Sequence, residues 1–182
     1  MENNIVFLNE SNNIIIGDNS YNSTLKGIFN CKIGNVFKYN NISNDFKDNI
    51  ISNNFKSNDI GINFEKNVIY DNCENNNFGK DFINNTLGKN FKYNQFDYDT
   101  QNNKFGENCI DNVFGKGFKN NEIADYFYNN TFSLNSMNNK FLLDNISNVN
   151  FGTKVARRLD IGYSDIEVIK TVTLGVLDLA LE

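Results

Sequence analysis

The side chains able to do chemistry are few in kind. The sequence has no His, which excludes Ser-His-Asp and Cys-His catalysis and His-containing zinc sites. Its three cysteines, Cys31, Cys73 and Cys109, are odd in number and share no short spacing, which favours reduced thiols over a disulfide frame. Carboxylates remain. Their closest groupings are Asp97 with Asp99, Asp45 with Asp48, and Asp160 with Asp165 and Glu167, the arrangement paired acid–base chemistry would use. Asp45 and Asp99 stand where Asn otherwise recurs, and the others fall at outward or loop positions. Turn chemistry therefore accounts for them, and no catalytic residue, metal ligand or cofactor is expected. Cys73 and Cys109 read as small core residues. Tyr39, Tyr93 and Tyr128 point outward and could stack on sugars. Lys38, Lys47, Lys56, Lys80, Lys89, Lys92, Lys116 and Lys119 recur on the same outer surface. With 17 basic and 22 acidic residues the net charge is −5, which argues against a nucleic-acid or membrane surface.

The elements that would carry these groups follow from composition and spacing. Of 182 residues 40 are Asn and 17 Phe, with no Pro and no Trp. So much Asn could mean a disordered tract, but the Phe and Ile give this chain something to bury. The N-terminus lacks a basic region and a long apolar run, so neither a secretory signal nor a membrane span is expected. A soluble chain made in a cytoplasm is the expectation.

From Ile33 onward one apolar residue recurs after four or five positions: Ile33, Phe37, Ile42, Phe46, Ile50, Phe55, Ile60, Phe64, Ile69, Cys73, Phe78, Phe82 and Leu87. It continues as Phe91, Phe96, Thr100, Phe105, Cys109, Phe114, Phe118, Ile123, Phe127, Phe132, Ser136, Phe141 and Ile146. Steps of four and five alternate, with breaks at 46 to 50, 55 to 60 and 141 to 146. The residue three after each site is Asn in 18 of the 26 cases and Asp in four more. Asn, Asp and Gly tolerate left-handed backbone, so each unit reads as a short inward-facing segment followed by a corner. Gly79, Gly88, Gly106 and Gly115 follow the apolar residue in every second unit, which makes the repeat a nonapeptide. A helix would place apolar residues at i, i+3, i+4 and i+7, and this Asn and Gly load disfavours one. The fold class is all-β: a single-stranded parallel β-helix of about 18 residues per coil, its coils about 4.8 Å apart. Phe78, Phe96, Phe114 and Phe132 then fall on one line, and Phe91, Cys109 and Phe127 on another. These rings, with Phe105, form the expected core.

The four-to-five-residue step, the central Phe or Leu and the preceding Asn resemble the quadrilateral β-helix of pentapeptide-repeat proteins, which keep a strict five-residue period. The nonapeptide, in NNTLGKNFKYNQF and NNKFGENCIDNVFGKGFKNNEI, looks more like the Asn-rich NxFGxN repeats encoded by phages and prophages of Bacteroidetes, including crAss-like phages. The resemblance covers roughly residues 30 to 150 and implies a structural role in a phage virion. The 18-residue coil is shared with calcium-binding repeats of the RTX type. Those need Gly-Gly-x-Gly-x-Asp turns to supply oxygen ligands, and Gly-Gly never occurs here.

Three regions are expected: residues 1–30 as an N-terminal cap or docking segment, 31–151 as the Asn-rich β-helix, and 152–182 as a C-terminal cap or oligomerisation segment. No Asn occurs after Asn150, and the end of the chain is aliphatic. Val172, Leu174, Val176, Leu177, Leu179 and Leu181 are the candidates for assembly, through a short β segment. The resulting expectation is a non-enzymatic, homotrimeric rod in a fibre, tail or capsid decoration, located in the virion. Its partners would be other virion proteins and, on the lateral face, a host-surface glycan. The alternatives are a glycan-binding adhesin module or a DNA-mimicking inhibitor of the pentapeptide-repeat type.

Overall fold

The structure, a computed structural model, describes residues 6–7, 11–133, 136, 138–141, 146–147, 150–151 and 160–161. Strands of two residues turn a corner and pair in parallel with the strands one coil before and one coil after. The fold is a parallel β-solenoid with four faces, and its registers step by 18 residues: Phe37 with Phe55, Ile60 with Phe78, Ile51 with Ile69, Phe64 with Phe82. In chain order, face I carries the inward column Ser20, Phe37, Phe55, Cys73, Phe91, Cys109, Phe127. Face II carries Leu25, Ile42, Ile60, Phe78, Phe96, Phe114, Phe132. Face III carries Ile28, Phe46, Phe64, Phe82, Thr100, Phe118, Ser136, and face IV carries Ile16, Ile33, Ile51, Ile69, Leu87, Phe105, Ile123. All of these side chains are buried.

One inward position differs from the sequence reading. Ile51, not Ile50, faces the core and is fully buried, while Ile50 is the half-buried outward residue of the same two-residue strand. With Ile51 in place the apparent breaks at 46 to 50 and 55 to 60 disappear, and steps of four and five alternate through that region. The break at 141 to 146 is real: Phe127 pairs with Ile146, a step of 19, after steps of 18. An opposite irregularity lies near the N-terminus, where Ser20 pairs with Phe37 and Thr24 with Asn41, steps of 17. Gly27, at φ 57°, closes that corner one residue short.

The Asn residues divide into two jobs that the three-residue rule had merged. After a face II or IV residue, the third residue is left-handed, as at Asn54 (φ 66°), Asn72 (φ 65°) and Asp99 (φ 64°). After a face I or III residue the left-handed position comes one earlier, as at Asn84 and Asn102. The following Asn then turns inward and is buried. These buried residues form two ladders, Asn40-58-76-94-112-130 and Asn49-67-85-103-121-139. In each rung the backbone N–H and the side-chain amide both donate to Oδ1 of the Asn one coil on, at 3.0 Å each for Asn76 to Asn94. The second amide hydrogen goes to a carbonyl of the coil before, as from Asn76 to Phe55 at 2.9 Å. At their N-terminal ends Ser23 and Cys31 donate backbone N–H groups into Asn40 and Asn49. A buried amide costs little when every donor and acceptor is used, and here each rung also ties its coil to the next.

Core volume is balanced coil by coil. The coils Phe37-Ile42-Phe46-Ile51 and Phe55-Ile60-Phe64-Ile69 each hold two Phe. From Phe78 onward face II carries Phe in place of Leu or Ile, and one site in each coil becomes small, so that coils of two and three rings alternate. That site alternates between opposite faces: Cys73 on face I, Thr100 on face III, Cys109 on face I, Ser136 on face III. Close packing requires this, because a cross-section of fixed size cannot take an extra ring without giving up volume elsewhere. Thr100 fits by size alone, since its buried hydroxyl has no hydrogen-bond partner.

Of the expected N-terminal segment 1–30, residues 11–30 wind into the same solenoid, with Ile16 paired to Ile33 and Leu25 to Ile42. Of the expected segment 152–182, Asp160–Ile161 is described and pairs with Lys140–Phe141. Val172, Leu174, Val176, Leu177, Leu179 and Leu181 lie outside the described residues.

Candidate functional site

The core candidates come together as a stacked column. On face II the rings of Phe78 and Phe96 lie 4.9 Å apart, Phe96 and Phe114 4.8 Å, and Phe114 and Phe132 5.0 Å, all within 17° of parallel. Phe91 meets Phe105 edge-on at 5.7 Å, Phe105 meets Phe114 at 5.6 Å, and Phe127 stacks on Phe132 at 5.8 Å. These residues hold the rod together and present nothing to a ligand.

The outer surface is set by what flanks each inward residue. On face II the residue before it points out, giving the row Asn41, Asp59, Asn77, Gln95, Val113. The residue after it is Gly in three coils, Gly61, Gly79 and Gly115. Glycine is required at Gly79 because a Cβ there would lie 2.7 Å from the Gly61 carbonyl oxygen of the coil before. Missing side chains beside a row of long polar ones leave a trough of about 760 Å³ across the four coils from Ile42 to Phe96. Asn41, Asp59, Asn77 and Gln95 line one side and Asn44 the other. Gly61 and Gly79 form the floor together with the strand backbone at Ile60 and Phe78, whose side chains are buried, and Asp97 closes the end where glycine gives way. Asn77 Nδ2 donates to Asp59 Oδ1 at 2.7 Å, and Asn44 Oδ1 accepts from the Ile62 N–H at 3.0 Å. Beside the trough, Lys80 Nζ sits 5.1 Å above the Tyr98 ring, a cation–π contact.

The carboxylate groupings separate in space. Asp97 lines the trough, whereas Asp99 takes the next corner and accepts from Gln101 Nε2 at 3.3 Å. Asp45 and Asp48 occupy successive corners, with Asp45 accepting from Asn63 Nδ2 at 2.7 Å. Asp160 is in a strand, and Asp165 and Glu167 lie outside the described residues. Among the described residues no three acids or thiols gather as a metal ion would require.

The lysines are distributed round the rod. Lys38, Lys56 and Lys92 stand on face I, Lys47 and Lys119 on face III, Lys80 and Lys116 beyond face II, and Lys89 beyond face IV. Three pair with a Glu one coil away: Lys47–Glu65 at 2.9 Å, Lys56–Glu74 and Lys89–Glu107 at 2.8 Å. The bond to its Glu raises the pKa of Lys47 and of Lys89. All three pairs reach solvent, so each contributes little to stability. Tyr39 and Tyr93 are exposed at left-handed corners three coils apart, and Tyr128 is half-buried on face I. They do not share a pocket with one another or with the trough.

The polar residues of the trough's outward row were not singled out from sequence. Their signal is the polar residue immediately before the face II core position, recurring every 18 residues as Asn41, Asp59, Asn77 and Gln95. Compared with protein-family models, with curated proteins and with solved structures, the chain matches none.

Proposed function

We propose that this chain is a non-enzymatic structural component of a phage particle, a rigid β-helical rod in a fibre, tail or capsid decoration. The observation that carries the reading is the pair of buried Asn ladders, which bond each coil to the next through side chains as well as backbone. Ladders of this kind also stabilise cross-β stacks. A rod built this way resists shear and proteolysis, and such resistance is what a part of an extracellular particle needs. The NxFGxN resemblance supports the phage setting. In this reading residues 152–182 set a homotrimer, one end docks to other virion proteins, and the lateral surface faces the medium.

Sedimentation of the full chain and of a chain ending at Asn150 tests the proposal. A trimer that dissociates on truncation supports a fibre module assembled through its C-terminal segment. A stable monomer in both cases removes the fibre reading.

A further inference from the structure

We infer that the face II trough is a binding site for a neutral, linear oligosaccharide lying along the rod axis. The inference rests on the solenoid and its trough, not on the role in a particle. Asn41, Asp59, Asn77 and Gln95 present one amide or carboxylate per coil, repeating at the strand spacing of about 4.8 Å. That spacing is close to the length of one pyranose unit. A primary amide carries a donor and an acceptor on one plane, and a carboxylate accepts from two hydroxyls, so each can take the adjacent hydroxyls of a sugar ring. The four strands span about 14 Å, room for roughly three sugar units. Gly61 and Gly79 let the ligand approach the backbone of the floor, where the Ile60 and Phe78 side chains turn inward and leave the strand itself to meet a ring. A concave surface with a few convergent polar groups can fix a small ligand in one orientation.

Charge decides between glycan classes. Asp59 and Asp97 line the trough, and Asp45, Asp81 and Asp99 run along the adjoining corner. Two cations stand against these carboxylates: Lys26, one coil before Ser43 at the end of the trough, and Lys80, which lies over the Tyr98 ring. An acidic polysaccharide or a nucleic acid would be repelled. The Asn77–Asp59 hydrogen bond holds two of the four polar groups in place before any ligand arrives, which lowers the ordering cost of binding.

Isothermal titration of the full chain with cellohexaose, xylohexaose and mannohexaose tests this, with hexagalacturonate and an octalysine peptide as the charged comparisons. At least one neutral hexasaccharide should bind saturably. The double variant Asn77→Val, Gln95→Val should weaken it at least tenfold, as losing two to three neutral hydrogen bonds would. Val113 already occupies this column, so the variant's melting temperature should match that of the parent. Should the double variant be less stable, Gln95→Ala, at one outward position, gives the same reading. The inference is overturned if no neutral hexasaccharide binds, if the variants bind as well as the parent, or if hexagalacturonate or octalysine binds in their place.

Discussion

At Asn76 the side chain serves four hydrogen bonds of the ladder and the backbone N–H a fifth. Its backbone N–H and one amide hydrogen donate to Asn94 Oδ1, and the other amide hydrogen donates to the Phe55 carbonyl. Its own Oδ1 accepts from the backbone and the side chain of Asn58, at 2.9 and 3.0 Å. Replacing it by Ala removes an acceptor shared by two buried donors and leaves both unsatisfied inside the rod. Asn76→Ala should therefore destabilise by about 2–5 kcal/mol. Asn77, its exposed neighbour, should tolerate Ala within about 0.5 kcal/mol. Urea unfolding of the two variants reads the difference, and equal midpoints would mean that the ladder contributes no more than the surface. The same reasoning explains why these positions are Asn and not Asp. An acceptor-only carboxylate could not donate to the carbonyl of the coil before, and it would bury a charge.

At the scale of the coil, volume is what one site trades with another. The coil Phe91-Phe96-Thr100-Phe105 already holds three rings, so Thr100→Phe alone should cost about 1–3 kcal/mol by overpacking. Adding Phe91→Cys moves the small residue to face I, the arrangement of Cys109, Phe114 and Phe118, and should recover most of that loss. Thermal unfolding of both singles and the double gives the coupling; simple additivity would show that the coils do not compensate. The four-five alternation made the coil legible in the sequence because each corner has a fixed residue count. Neighbouring isoleucines hid one register, since Ile50 and Ile51 are equally apolar and only the step count says which faces inward. The division of Asn into ladder and corner was not legible either. Both jobs select the same residue, one for its two-sided hydrogen bonding and the other for its tolerance of positive φ. The trough was missed for a related reason. Gly79 read as punctuation of the repeat and Gly61 was not singled out, and their shared consequence, an open floor beside an amide row, needs four coils stacked in space.

Across the whole molecule, each coil touches the coils before and after it, so stability is a sum of nearest-neighbour terms and the end coils open more readily than the middle. Three buried thiols report on this at different depths: Cys31 near the N-terminal coils, Cys73 midway, and Cys109 further on. Burial pushes the Cys73 and Cys109 thiols well up from their ordinary pKa. In the folded rod both remain protonated at pH values where the thiols of an unfolded chain ionise. Stability is intact while the thiols are protonated in both states and falls as pH rises from the unfolded thiol's pKa towards the folded one. A thiol reagent at mildly alkaline pH can therefore reach Cys73 only after its coil opens. Labelling followed by mass spectrometry should show Cys31 reacting at least tenfold faster than Cys73, a separation that grows if urea is kept below the unfolding midpoint. A single common rate for all three would show instead that the rod opens as one unit. The Asn ladders would then couple each coil to its neighbours so strongly that opening one coil opens the rest.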